Sequence, residues 1–166
     1  MSEDLSLAGF NLAEPAVAQQ RLLECCASLR WAGEMLARRP YPELATLRSV
    51  AAAVLARLSW ADLTEALDAH PRIGERAAGD GHEAAWSRQE QAGAGAELAE
   101  DLRVGNVAYE ERFGYVFLIC ATGLSGEAML TALRERLGND PEAEREVVRA
   151  ELGKILDLRL GKAFSS

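Results

Sequence analysis

The sequence predicts an all-α, single-domain bundle of seven or eight helices spanning 1–166, and three observations carry that prediction. Apolar residues recur at intervals of three and four through most of the 166 residues, the spacing that lines one face of a helix. Helix starts and stops built from Pro, Gly, Ser and Asp-Pro punctuate this pattern. One stretch alone, Tyr115 to Ala121, is β-branched and aromatic enough for a strand, and no second run exists to pair with it.

Taken in order, a first helix is expected over Asn11 to Arg30. Pro15 stands where a first turn tolerates it, and Val17, Leu22, Leu23 and Cys26 fall on one side. Arg39-Pro40-Tyr41-Pro42 interrupts the pattern. A helix from near Pro42 then carries Leu44, Leu47, Val50, Ala51, Val54, Leu55 and Leu58 inward. Ser59 reads as the N-cap of a helix from Trp60 to Ala69, which must stop at His70 because the ring of Pro71 crowds its predecessor out of the α region. Gly74 to Ala85, with Gly79-Asp80-Gly81 at its centre, has the composition of a surface loop.

Ser87 announces a new helix, which Gly93 and Gly95 weaken. Glu97 to Phe113 resumes the helical pattern through Leu98, Leu102, Val107 and Tyr109 until Gly114 ends it. Tyr115 to Ala121 reads as a buried extended connector or a short helix entry. Ser125 caps a helix ending near Leu137-Gly138, and Asp140-Pro141, with Glu142 and Glu144 in the first turn, starts the last helix through Leu160.

Eighteen Lys and Arg against 26 Asp and Glu give a formal net charge of −8. That balance repels polyphosphate and anionic lipid, which argues against nucleic-acid and membrane-surface partners. No apolar stretch approaches the ~20 residues of a membrane-spanning helix. Glu3 and Asp4 stand where a secretory signal would be basic, and three cysteines leave an odd thiol with no framework spacing. The expected location is the cytoplasm, with all thiols reduced and Cys25, Cys26 and Cys120 serving as core.

Few residues are placed to do chemistry. His70 sits at a helix end, where an imidazole can act as general acid or base near neutral pH. The competing reading is a cation complementing the C-terminus of the Trp60 helix. Ser87, Glu90 and Gln91 stand at i, i+3 and i+4 and share one helix face, offering a hydroxyl, a carboxylate and an amide to a small ligand rich in N–H and C=O groups. The same Ser-x-x-Glu is also a capping box. Gly81-His82-Glu83 lacks any partner spacing for a metal, so no metal site is expected. No glycine-rich phosphate loop supports a nucleotide cofactor. Arg159, beside Lys154 and Lys162, complements the dipole of the last helix.

His70-Pro71-Arg72-Ile73-Gly74 followed by Trp86-Ser87-Arg88-Gln89-Glu90-Gln91-Ala92-Gly93 resembles the 2-oxo-4-hydroxy-4-carboxy-5-ureidoimidazoline (OHCU) decarboxylase family of uric acid degradation. Phe10-Asn11, Cys25-Cys26 with Trp31, Arg39-Pro40, Asn106-x-x-Tyr109-x-x-x-Phe113-Gly114, Phe117 with Cys120-Ala121, Leu137-x-Asn139-Asp140 and Arg159-Leu160 extend the resemblance, in family order, over nearly the whole chain.

The resemblance implies cofactor-free decarboxylation of OHCU to (S)-allantoin by an all-helical protein, with the catalytic histidine at His70. The implied substrate pocket takes in Pro71, the turn of Ser87, Arg88, Gln89, Glu90 and Gln91, the segment Phe117, Leu118, Ile119, Cys120 and Ala121, and Arg159. In this assignment His70 carries the proton and Glu90 orients it or binds ring N–H groups. Ser87 and Gln91 fix the ring, and Arg159 holds a carboxylate or carbonyl. The segment 117–121 would offer backbone N–H and C=O groups to a hydantoin-like ring. Family members commonly pair as homodimers, and this is the expected state. A decarboxylase of a related ureido acid and a non-catalytic acidic helical module are the alternatives that the residues leave open.

Overall fold

The computed structural model describes residues 6–70 and 95–164. Among them are eight helices and no strand, as the three-and-four spacing predicts. They fall into two compact units, residues 1–66 with 149–166 and residues 67–148, and each is taken by itself.

In the first unit the long helix expected over Asn11 to Arg30 is replaced by three shorter ones, α1 (Leu7–Leu12), α2 (Pro15–Cys25) and α3 (Leu29–Ala37). The breaks have local causes. Pro15 opens α2, while Cys26 is extended at φ −149 and ψ 117. Ser28, which the pattern reading passed over, N-caps α3 by accepting from the Trp31 N–H at 3.1 Å. The inward face of α2 is Ala18, Leu22 and Cys25, so Val17, 43% exposed, does not belong to the stripe. Next, α3 packs on both α2 and α4 (Leu44–Arg57).

The linker between α3 and α4 is pinned to α1. Arg39 donates to the carbonyls of Phe10 at 2.7 Å and Ala13 at 2.9 Å. The Asn11 amide both donates to and accepts from the Tyr41 backbone, each at 2.9 Å. Two of the sequence landmarks, Phe10-Asn11 and Arg39-Pro40, therefore serve one clasp. Along α4, Leu47, Ala51, Val54 and Leu55 are buried, as is Leu58 just beyond it. Ser59 accepts from the Asp62 N–H at 3.1 Å and starts α5, which runs Trp60–Leu67 and stops short of Ala69.

In the second unit α6 (Gly95–Phe113) and α7 (Gly126–Arg136) pack together. Leu98, Leu102 and Tyr109 are buried, whereas Val107, 45% exposed, faces outward. At Gly105 the two helices approach so closely that an added Cβ would lie 2.4 Å from Leu133 Cδ2. Gly114 ends α6 at φ +86, a left-handed conformation that glycine adopts without steric cost. The connector 115–121 then forms neither helix nor strand. Ser125 caps α7 through the Ala128 N–H at 3.0 Å. Asp140 caps α8 (Pro141–Phe164) through the Ala143 N–H at 2.7 Å.

Candidate functional site

Phe117, Leu118 and Ile119 are buried and pack in one apolar cluster with Leu98, Leu102, Tyr109, Met129, Leu130 and Leu133. Gly114 turns the chain back toward α6, and the aromatic rings then fix it. Tyr109 meets Phe117 edge-on at 5.2 Å between centroids and Tyr115 at 5.8 Å. The expected buried connector is thus present, in irregular form. Its Leu118 carbonyl accepts from Arg136 Nη1 at 2.8 Å, and its Ala121 carbonyl from the Leu124 N–H at 3.0 Å. No hydrogen bond among the described residues reaches the N–H groups of Phe117, Leu118 and Ile119. Buried backbone donors in a folded chain nearly always have a partner.

Arg136 is anchored on its other side. Its Nε donates to Glu144 Oε2 at 2.8 Å and its Nη2 lies 2.6 Å from the same oxygen. Its guanidinium carbon sits 4.5 Å from the Phe117 ring centroid, a cation over an aromatic face. Glu144, 0% exposed, also accepts from the Tyr109 hydroxyl and, on Oε1, from the Asn139 amide at 3.0 Å. Burial, and then the Glu144 carboxylate, push the Tyr109 pKa up, so the phenol stays a donor.

This network is the part of the site that the sequence reading missed. Glu144 reads there as a first-turn acid complementing the helix dipole. One signal tells against that role. Stepping back four at a time from Leu156 through Leu152 and Val148, all buried, lands on Glu144. Arg136 likewise extends the apolar row of Met129, Leu130 and Leu133. Two opposite charges in two apolar rows are the pattern of a buried pair.

Of the other sequence-derived candidates, His70 lies three residues past the end of α5 and is half-buried. Its N–H donates to the Leu67 carbonyl at 2.9 Å, so the chain leaves the helix through a turn that ends on the imidazole-bearing residue. Cys120 and Ala121 are half-buried in the connector. Arg159, in the first unit, is exposed and donates to the Cys25 carbonyl at 3.2 Å. Pro71, Ser87, Arg88, Gln89, Glu90 and Gln91, with the loop holding His82, lie outside the described residues. Among the described residues no three His, Cys, Asp or Glu side chains are placed to hold a metal ion.

A family model described as OHCU decarboxylase matches residues 11–161. The chain belongs to the OHCU decarboxylase family. An Arabidopsis thaliana relative, the uric acid degradation bifunctional protein TTL, is 33% identical over 147 residues, covering 85% of this chain and 45% of that protein. An OHCU decarboxylase of Amia calva is 42% identical over 96 residues, 55% of each chain. This chain thus spans about half the length of these two relatives. An OHCU decarboxylase of Haloferax volcanii is 29% identical over 129 residues, 77% of each chain. Among solved structures, an OHCU decarboxylase crystallised in the presence of (S)-allantoin is 30% identical, with a TM-score of 0.76 over 93% of this chain and 100% of that one. An (S)-allantoin synthase, 20% identical with a TM-score of 0.70 over 97% of this chain and 55% of that one, shares the fold of this OHCU decarboxylase family member. The all-helical architecture expected from the family resemblance is therefore present.

Proposed function

We propose that this chain decarboxylates OHCU stereoselectively to (S)-allantoin. The observation that carries the reading within the family is the buried connector with three N–H donors, those of Phe117, Leu118 and Ile119, unclaimed by the described residues. A planar ring bearing carbonyl and ureido groups suits such a row of donors. In the reaction the bond to the carboxylate carbon breaks, CO2 leaves, and the electron pair passes into the ring as an enolate-type anion. Backbone donors aimed at the developing oxyanion stabilise that state, a contribution of roughly 3–4 kcal/mol for one well-placed donor.

His70 then delivers a proton to one face of the ring, which sets the configuration of the product. Glu90 orients the imidazole or takes ring N–H groups, and Ser87 and Gln91 fix the ring. No cofactor is required in this scheme, because the ring itself holds the charge that CO2 leaves behind. The protein is further inferred to act as a cytoplasmic homodimer, a reading supported by the family resemblance and the free cysteines.

The test is to generate OHCU freshly from urate with the upstream enzymes, add the protein, and follow allantoin by circular dichroism. Rapid formation of one enantiomer, lost in a folded His70→Asn variant, is the expected result. A rate equal to spontaneous decay, with racemic product, overturns the reading and favours a related ureido acid as substrate. Full activity in His70→Asn removes the histidine from the mechanism.

A further inference from the structure

The Arg136–Glu144 pair is expensive to bury, since two charges leave water and a well-packed apolar pair of similar volume would often do as well for stability. Arg136 is only 7% exposed and Glu144 not at all. Yet the pair is anchored on several sides. Glu144 accepts from Nε of Arg136, from the Tyr109 hydroxyl and from the Asn139 amide, and pairs with the Arg136 Nη2 by charge alone. That leaves Nη1 of the same rigid guanidinium to a single target, the Leu118 carbonyl at 2.8 Å.

The consequence follows from peptide geometry. The bond between Leu118 and Ile119 is trans, and in a planar trans peptide the C=O and the following N–H point in opposite directions. Holding the Leu118 oxygen on Arg136 therefore aims the Ile119 N–H the other way, along a line set by three bonded groups. The Phe117 ring lies against the same guanidinium, at 4.5 Å from its carbon, and gives the segment a second contact with Arg136. Ile119 N–H is one of the donors with no partner among the described residues.

We propose that Arg136 is a positioning residue that, locked by Glu144, fixes the Leu118–Ile119 peptide plane so that the Ile119 N–H donates to the substrate's developing oxyanion. This rests on the decarboxylase reading above. A merely structural role for the pair predicts that any folded replacement works. The positioning role predicts that chemistry suffers while binding does not, because the donor matters most where charge develops.

The experiment compares wild type, the double variant Arg136→Met/Glu144→Leu, which removes both charges together, and Arg136→Lys. Lys keeps the charge beside Glu144, but its point-charge head cannot also reproduce the fork that reaches Leu118. All three are assayed with fresh OHCU after their folding is checked by circular dichroism. In each folded variant kcat should fall about 10- to 100-fold, somewhat less than loss of an oxyanion donor, with KM within about threefold and Arg136→Lys the milder of the two. A folded variant of either kind with wild-type kcat overturns the role of Arg136. So does a loss confined to KM. Wild type that fails to accelerate OHCU decay overturns the decarboxylase reading instead, and the two failures are thereby distinct.

Discussion

Two glycine-to-alanine changes probe the helix contact that carries the site. Gly33 in α3 and Gly105 in α6 are both helix-interior glycines, so alanine at either should gain about 0.8–1 kcal/mol of helix propensity. At Gly33 an added Cβ meets nothing within 4 Å, and the full gain should appear. At Gly105 it would lie 2.4 Å from Leu133 Cδ2 and 3.2 Å from Leu133 Cγ. Leu133 is completely buried, so its side chain has no solvent to retreat into and must push back the cluster around the connector. Such overpacking costs typically about 1–3 kcal/mol. Gly105→Ala should therefore range from neutral to a loss of about 2 kcal/mol once the propensity gain is included. The two variants should differ by roughly 1–3 kcal/mol, or about 2–12 °C in Tm for a chain of this size. Thermal unfolding followed by circular dichroism measures both. Adding Leu133→Ala should abolish the penalty at Gly105, because contacting sites couple. Equal stabilisation by the two single variants would refute the close approach of α6 and α7.

Burial lifts the Cys25 thiol from 9.0 to about 11 and Cys26 from 9.0 to about 12; it lifts the Tyr41 phenol from 10.0 to about 12. A raised folded-state pKa means that the native state holds the proton more tightly. The resulting stability is complete below pH 9 and is lost as pH rises through 9 to 12. Urea midpoints should accordingly fall across that window, and a flat profile would contradict the burial. Arg149 donates from Nη1 to the carbonyls of Leu55, Ala56 and Leu58 at 3.0, 3.4 and 3.0 Å; Arg149→Met strands the end of α4 and should cost about 1–2 kcal/mol in urea unfolding. Arg48 and Asp157 form a bidentate pair with both side chains exposed, so Arg48→Met should leave the urea midpoint unchanged. A clear drop would mean that this surface pair is less screened than its exposure implies.

The fold class was legible because helix-forming patterns repeat and only one apolar run departs from them. Element edges were legible where a cap or a breaker stands, as at Ser59, Gly114, Ser125 and Asp140. They failed between Asn11 and Arg30, where the apolar spacing continues across two breaks and only the Ser28 cap marks the second. Val17 falls in the expected stripe by residue type, yet it is the neighbouring Ala18 that is buried and Val17 that faces outward. The end of α5 is placed too late by the Pro71 argument, since the helix stops at Leu67 and His70 follows in a turn. Arg136 and Glu144 were not legible, because a charge near a helix end has a ready explanation in the dipole, and only the neighbouring helix reveals that both lie in apolar rows. Arg159 entered the expected set through the family resemblance and not through any pattern around it, since a basic residue near a helix end reads as a dipole complement.

The first unit is assembled from two stretches far apart in sequence, 1–66 and 149–166. Phe10 packs edge-on against Phe164 at 5.0 Å between centroids, and Arg149 closes the end of α4. During synthesis the early helices therefore emerge without their final cover. At the usual elongation rate of about 5–20 residues per second, the intervening stretch takes on the order of 4–20 s to make. Throughout that interval the ring of Phe10 waits without Phe164, and the end of α4 without Arg149. The first core can therefore close only after the last helix has been made.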